Sequence, residues 1–287
     1  MGIRTILAGL SGGTASEGTA ELACHLAARF APHLEALHVG LDVAGLIIAA
    51  GAEGLTAAGE MSWAKQMAAA VEAQSQKTKS ALAVAADRHG LKLAAAGALG
   101  ETSVIWHEAR GEAAAVLARS ARLFDLVVLG RSDRVVDAPH TDVIEETLLH
   151  SGRPLLLAPA DPPSSVGETV AIGWNGSPQA VRALVAALPF LHSAKKAVII
   201  TLGEPDGGGV DALKAYLQRH GIGARLSRLP LLPGEGPAGQ LLLAAREAEA
   251  DLLVVGGYSR PPWREAIFGG VTRELVGVSL LPLLIAH

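Results

Sequence analysis

The sequence has little cysteine, few aromatic residues and no block of basic residues. Cys24 is the only cysteine, which excludes an intrachain disulfide, and its place in an apolar stretch predicts a buried side chain. Lys and Arg number 24 against 28 Asp and Glu, and without a basic cluster the electrostatic footprint of a nucleic-acid-binding protein is missing. No apolar run reaches the ~20 residues that a membrane-spanning helix needs. We therefore expect a cytoplasmic protein that contacts neither nucleic acid nor membrane.

What the sequence does contain is an internal repeat. The segment TILAGLSGG (5–13) aligns without gaps with TVAIGWNGS (169–177), and three further pairs of segments align in the same order. Self-similarity of this kind indicates two copies of one fold. The Pro- and Ser-rich linker 159–168 separates them. We predict two domains, copy one (1–160) and copy two (161–287).

Each copy alternates short apolar strands with amphipathic helices. Continuous apolar strands such as LLVV and PLLI are typical of a parallel sheet that helices cover on both faces. We predict an α/β fold of two tandem copies of a five-stranded, mostly parallel, doubly wound sheet flanked by helices. Such sheets bind ligands at the carboxyl ends of strands, where the strand order reverses. Copy one also carries an insert at about residues 41–62. Three roles stay open for this insert: a lid, a dimer contact and a pocket for an apolar ligand.

Two motifs resemble sites of other protein classes. GLSGG (9–13) matches a nucleophile elbow with Ser11 as nucleophile. The repeat, however, places Asn175 opposite Ser11, so we interpret the segment as a glycine-rich strand-to-helix turn. GEGPAG (234–239) matches a dinucleotide fingerprint, but the acidic residue expected ~20 positions on is missing, and Pro237 favours an ordinary helix start. The dispersed histidines lack companions at ligand spacing, so we predict no metal site.

The loop 256–272 of copy two is the third candidate. Gly256 ends an apolar strand, and Gly269 and Gly270 follow further along. Two glycine-bearing segments at the carboxyl edge of a sheet can present backbone N–H groups to a phosphate, and Arg260 lies between them. We expect a side chain at Gly256 to fill the space of that phosphate. An ordinary loop that uses glycine for turn geometry remains the alternative.

Together these segments resemble a tandem universal stress protein. The resemblance runs through both copies and includes the opening strand and turn, the glycine loop and the closing strand. Nucleotide-binding members of that family carry G-x2-G-x9-G-(S/T) after the fourth strand and an Asp at the end of the first. In copy two, Gly256, Ser259 and Gly269 stand at the glycine positions, Gly270 at the Ser/Thr position and Asn175 at the Asp position.

The resemblance implies a non-catalytic regulator of the stress response that binds ATP or AMP, or binds no nucleotide. The residues it implies for that site are Asn175, Gly256, Ser259, Gly269 and Gly270, and Arg260 joins them as a nearby cation suited to a polyphosphate. Copy one keeps Gly130 but lacks the later glycines, so we predict that it binds no nucleotide. The two copies are expected to pack as a pseudo-dimer through their final strands, while a homodimer of whole chains stays open.

Two alternative functions stay open. One is a weak nucleotide hydrolase or phosphotransferase that uses Arg260 or Arg264. The sequence shows no clear general base beside the loop, which argues against it. The other is a ligand-free module that binds a protein partner. Release and identification of any copurifying nucleotide would separate these hypotheses.

Overall fold

The computed structural model describes residues 2–13, 15–30, 33–43, 45, 57–94, 103–131, 139–203, 209–232, 236–257 and 270–287. Its strands are β1 (Thr5–Gly9), β2 (His33–Gly40), β3 (Lys92–Ala94), β4 (Ser103–Arg110), β5 (Leu126–Gly130), β6 (Leu155–Ala158), β7 (Thr169–Gly173), β8 (Lys196–Leu202), β9 (Arg225–Leu229), β10 (Leu252–Gly256) and β11 (Leu283–Ala286). They form one continuous sheet in the order β3-β4-β2-β1-β5-β6-β11-β10-β7-β8-β9.

Helices follow most strands and cover the sheet. Within the described ranges they are α1 (Ala15–Phe30), α2 (Ala57–Arg88), α3 (Ala113–Ser120), α4 (Pro139–His150), α5 (Pro178–Ser193), α6 (Val210–Arg219), α7 (Pro237–Glu247) and α8 (Gly270–Val278). None of the helices in this part of the chain has the length and apolar character needed to cross a bilayer.

The strand order shows the same plan in both copies. β1 lies between β2 and β5, and β7 lies between β8 and β10, so the chain order reverses at the first strand of each copy. All strand pairs within a copy are parallel. The predicted doubly wound α/β fold is therefore present, and with the additional short strand β3 the described part of copy one has six strands.

The two copies meet at their final strands. β6 and β11 pair antiparallel, with Leu155 opposite Ile285 and Leu157 opposite Leu283. The expected packing through the final strands is thus observed, but as a hydrogen-bonded ladder that merges two sheets into one. All four leucine and isoleucine side chains are fully buried, because helices cover both faces of the sheet at this ladder.

Alternate residues of each strand supply two apolar cores, one on each face of the sheet. Leu252 and Val254 belong to the first core, with helices α1 and α5. Leu253 and Val255 belong to the second, with helices α3 and α7. This two-sided burial explains why the strands read as continuous apolar runs rather than as an alternating pattern.

Helix ends agree with the local sequence signals. Ser177 is the N-cap of α5, and its hydroxyl accepts a hydrogen bond from the backbone N–H of Ala180 at 3.2 Å. Pro237 stands in the first turn of α7, as predicted. Helix α2 begins at Ala57, so the last part of the 41–62 insert is helical, whereas residues 46–56 lie outside the described residues.

Two equivalent aspartates, one directly before β5 and one directly before β10, join these strands to the start of the first strand of their copy. The carboxylate of Asp125 accepts hydrogen bonds from the backbone N–H groups of Arg4 and Thr5 at 2.8 and 3.1 Å. Asp251 accepts from three backbone groups, including those of Gly167 and Thr169, both at 2.9 Å. The similarity of the two copies therefore extends to side-chain hydrogen bonding.

Candidate functional site

The strand order of copy two reverses at β7, beside the carboxyl ends of β7 and β10, and doubly wound sheets bind ligands at such a reversal. Gly176 follows β7 with φ +77°, a conformation that favours glycine. The side chain of Asn175 is exposed at this edge, and its Oδ1 accepts a hydrogen bond from the backbone N–H of Ser177 at 3.1 Å. The turn thus places Asn175 directly before the N-terminus of α5.

Gly256 ends β10 where the strand passes very close to helix α5. A Cβ at this position would lie 2.5 Å from the backbone nitrogen of Ala180. Gly130 is equivalent in copy one, where a Cβ would lie 2.6 Å from the backbone oxygen of Ala15 in α1. The space beside Gly256 is therefore filled by the helix, not by an open phosphate site as expected, and the glycine permits close packing of strand and helix.

Of the other four residues implied for the site, the structure describes Gly270. Gly270 is the first residue of α8; it is exposed, and a Cβ there would meet no described heavy atom within 4 Å. Ser259, Arg260 and Gly269 lie outside the described residues. The structure therefore brings Asn175 and Gly256 to the same edge of the sheet, and the role of the loop between β10 and α8 stays a prediction.

A carboxylate lies at the equivalent helix N-terminus in both copies. Helix α7 begins after Gly236, which provides no side-chain cap, but the carboxylate oxygens of Glu274 lie 3.1 Å from the place of a Cβ at Gly236. The equivalent helix α3 begins after Glu112, whose carboxylate accepts hydrogen bonds from the backbone N–H groups of Ala114 and Ala115 at 3.0 and 2.9 Å. A carboxylate at a helix N-terminus neutralises the partial positive charge that otherwise favours an anion.

Copy one has a cavity at the equivalent edge of its own sheet. Its volume is about 210 Å³. The lining consists of the ends of β1, β2 and β5 and the helices α3 and α4: Gly9, Leu10, Ser11, Leu37, Val39, Ala113, Leu117, Leu129, Gly130, Val143 and Ile144. Sequence reasoning missed this cavity because it assigned copy one no ligand and did not consider the helix residues that face the strand ends.

Polar side chains also cluster on β2 and β4 of copy one. Glu35 lies between two imidazoles, with 2.9 Å from its Oε1 to Nε2 of His33 and 3.1 Å from its Oε2 to Nε2 of His107. On the opposite face, hydrogen bonds from the Trp106 indole and the Ser75 hydroxyl hold the pKa of Glu108 below its ordinary value. No group of three potential metal ligands within the described ranges is arranged to hold a metal ion.

Comparisons with known proteins give matches to solved structures only. No family model matches the sequence, and no curated protein matches it. A universal stress protein from Archaeoglobus fulgidus DSM 4304 is similar over 98% of this chain and 95% of its own, with a TM-score of 0.65 and 15% identity. This likeness includes both copies and the junction between them.

Two structures from Pseudomonas aeruginosa are similar over the same extent. A protein of unknown function from strain PAO1 has a TM-score of 0.55 and 13% identity over 99% of this chain and 92% of its own. A protein from strain UCBPP-PA14, assigned to the universal stress proteins, has a TM-score of 0.54 and 14% identity over 99% of this chain and 93% of its own. Along nearly its whole length, the chain has the fold of the universal stress proteins.

Proposed function

We propose that this protein is a non-catalytic regulator of the stress response that binds ATP or AMP in copy two. In this proposal the chain consists of two domains, divided near residue 160, and acts in the cytoplasm. The residues proposed to form the nucleotide site are Asn175, Gly256, Ser259, Arg260, Gly269 and Gly270. The observation that carries the proposal is the strand-order reversal of copy two, because ligands of doubly wound sheets bind at such a reversal.

Helix N-termini at this edge of copy two support an anionic ligand. Helices α5 and α7 both follow strands that end at this edge, so the partial positive charges of their N-termini lie on this side of the sheet. Helix α7 has no side-chain cap, whereas Glu112 caps the equivalent helix α3 in copy one. The carboxylate oxygens of Glu274, however, lie 3.1 Å from the place of a Cβ at Gly236, so the N-terminus of α5, whose first turn has no acidic residue, is the proposed site for the phosphate.

Asn175 is proposed to contact the nucleoside part of the ligand. Its side chain is exposed, and it is held beside the N-terminus of α5 by the hydrogen bond to the Ser177 backbone. An amide provides both a donor and an acceptor, which are the groups needed for ribose hydroxyls or adenine edges. Gly256 acts indirectly, because it sets the distance between β10 and α5.

Identification of the copurifying ligand tests this proposal. The purified protein is denatured, and the released small molecules are separated by chromatography and identified by mass spectrometry. We expect ATP or AMP, together with a higher melting temperature when millimolar ATP or AMP is added to the ligand-free protein. The absence of both effects would falsify the proposal and favour the ligand-free, partner-binding module.

A phosphate-release assay tests the non-catalytic part separately. We expect no release above the buffer rate when ATP is incubated with the protein. Phosphate release that disappears in Arg260→Ala would contradict the proposed role and indicate a hydrolase or phosphotransferase. Nucleotide binding without release would support the regulator.

A further inference from the structure

We propose that the cavity of copy one binds a small, uncharged aromatic molecule of about the size of benzene to indole. This inference is independent of nucleotide binding in copy two, because the two sites belong to different copies and use different residues. The cavity of about 210 Å³ lies at the strand-order reversal of copy one, between the ends of β1, β2 and β5 and the helices α3 and α4. It thus occupies the place where a doubly wound sheet takes its ligand.

The lining of the cavity favours an apolar ligand over water. Leu10, Leu37, Leu117 and Leu129 are buried members of the wall, and among the described lining residues Ser11 is the one with a polar side chain. A water molecule in a buried site needs about two to four polar partners, whereas a leucine-lined cavity of about 150 Å³ can stay dry and take up benzene. Entry of an aromatic ring into the copy one cavity therefore removes the apolar surface of the ligand from water.

Carboxylates beside the cavity oppose an anionic ligand. Glu112 caps helix α3 directly before the lining residue Ala113 and occupies the N–H groups of two following residues. Asp142 lies in the first turn of α4, directly before the lining residue Val143. Copy two has Gly236 and Gly270 at these two positions. A phosphate at the cavity of copy one would therefore meet a helix N-terminus that Glu112 already neutralises.

Ser11 offers the ligand one side chain that can form a hydrogen bond. Its side chain is exposed and lies 3.3 Å from the hydroxyl oxygen of Ser16, so it is positioned at the mouth rather than at the floor. One hydroxyl can donate or accept a hydrogen bond with a single polar group of the ligand, such as an indole N–H. This assigns Ser11, which resembled a nucleophile in sequence, to a contact at the mouth of an apolar cavity.

Binding of indole to variants of the cavity wall tests the proposal. Ala113→Leu and Val143→Phe each add carbon atoms from a half-buried position of the wall, and Ala115→Leu, on the same helix as Ala113 but outside the lining, is the matched control. Calorimetry and thermal unfolding measure indole binding to the full-length chain. At about ten times Kd, we expect the melting temperature to rise by about 3 °C in the wild type and in Ala115→Leu.

Each outcome decides the proposal. Support requires that Ala113→Leu or Val143→Phe, whichever folds, weakens indole binding by at least about tenfold while Ala115→Leu binds as the wild type does. The proposal is overturned if indole does not bind, or if both filled variants bind it unchanged. It is also overturned if ATP competes with indole in the wild type and the filled variants lose ATP binding, since the cavity would then be a nucleotide site.

Discussion

At the scale of the residue, equivalent positions of the two copies keep the backbone and change the chemistry. Gly12 and Gly176 both have positive φ, +86° and +77°, and form the same turn after the first strand. The residues before them are Ser11 and Asn175, so the turn presents a hydroxyl in one copy and an amide in the other. The difference between the two candidate ligands therefore arises from side chains, not from the course of the chain.

Cys24 offers a single-residue test of the core. The side chain is fully buried in α1, and burial raises the pKa of its thiol to about 12. Because only the thiolate is alkylated, we expect iodoacetamide to react with the native protein at pH 8 about a thousandfold more slowly than with protein unfolded in guanidinium chloride. Mass spectrometry of the quenched reaction measures both rates. Equal rates would contradict the burial of Cys24.

At the scale of the element, two glycines determine how closely a helix approaches the sheet. Gly256 touches the first turn of α5, and Gly130 touches the first turn of α1. Both contacts lie at the ligand edge, so a shift of either helix changes the shape of a candidate site. Gly256 is the first glycine of the loop that the sequence predicts to bind phosphate, and it thus has a packing role.

Gly256→Ala tests this packing role. The added methyl group would collide with the backbone of Ala180, and overpacking of this kind costs about 1–3 kcal/mol of unfolding free energy. Gly239→Ala is the control, because a Cβ there meets no described atom within 4 Å and alanine favours the helix by about 0.5–1 kcal/mol. Urea unfolding of both variants measures the difference. A stable Gly256→Ala variant would show that strand and helix are not in contact.

Gly270→Ser tests the contribution of α8 to nucleotide binding. The position has room for a side chain, and a hydroxyl at the start of the helix can donate a hydrogen bond to a phosphate. We expect ATP to bind more tightly by about 0.5–1.5 kcal/mol, which is up to about tenfold in Kd. Gly277→Ser, an equally open position near the other end of α8, should leave Kd unchanged. Equal effects of both variants would exclude a direct contact at Gly270.

At the scale of the whole molecule, the two copies form one sheet with side-chain links across the junction. The guanidinium of Arg29 in α1 donates hydrogen bonds to the backbone oxygen of Val166 and to the hydroxyl oxygen of Ser193, both in copy two. Arg131 at the end of β5 donates to the backbone oxygens of Val276 and Leu281 at 3.3 and 2.9 Å. These contacts predict that the copies unfold as one cooperative unit.

Arg29→Ala tests the link between the copies. The variant loses two hydrogen bonds of a charged donor and leaves the Val166 oxygen without this partner, so we expect a loss of about 1–3 kcal/mol in unfolding free energy. Arg88→Ala is the control. Arg88 forms an ion pair at 3.4 Å with Glu21 of the same copy, and a surface ion pair of this kind contributes little to the free energy of unfolding. Denaturant unfolding followed by circular dichroism measures both. A transition of Arg29→Ala that matches the wild type would contradict the link.

The sequence predicts more of the fold than of the site, for physical reasons. Strands appear as apolar runs, and helix ends appear as residues such as Ser177 and Pro237, because burial and capping are local properties of the chain. The merger of two sheets depends on β6 and β11, which are far apart in sequence. The cavity of copy one depends on the distance between the sheet and the helices α3 and α4, and no residue pattern in either helix indicates that distance.

The stoichiometry of ATP binding tests the central claim most directly. Isothermal titration of the ligand-free protein with ATP should give one site per chain, located in copy two. Asn175→Ala should weaken binding by about tenfold through the loss of one side-chain hydrogen bond to the ligand, whereas Ser11→Ala, at the equivalent position of copy one, should bind ATP as the wild type does. No binding, two sites per chain, or a loss of binding in Ser11→Ala alone would contradict the account.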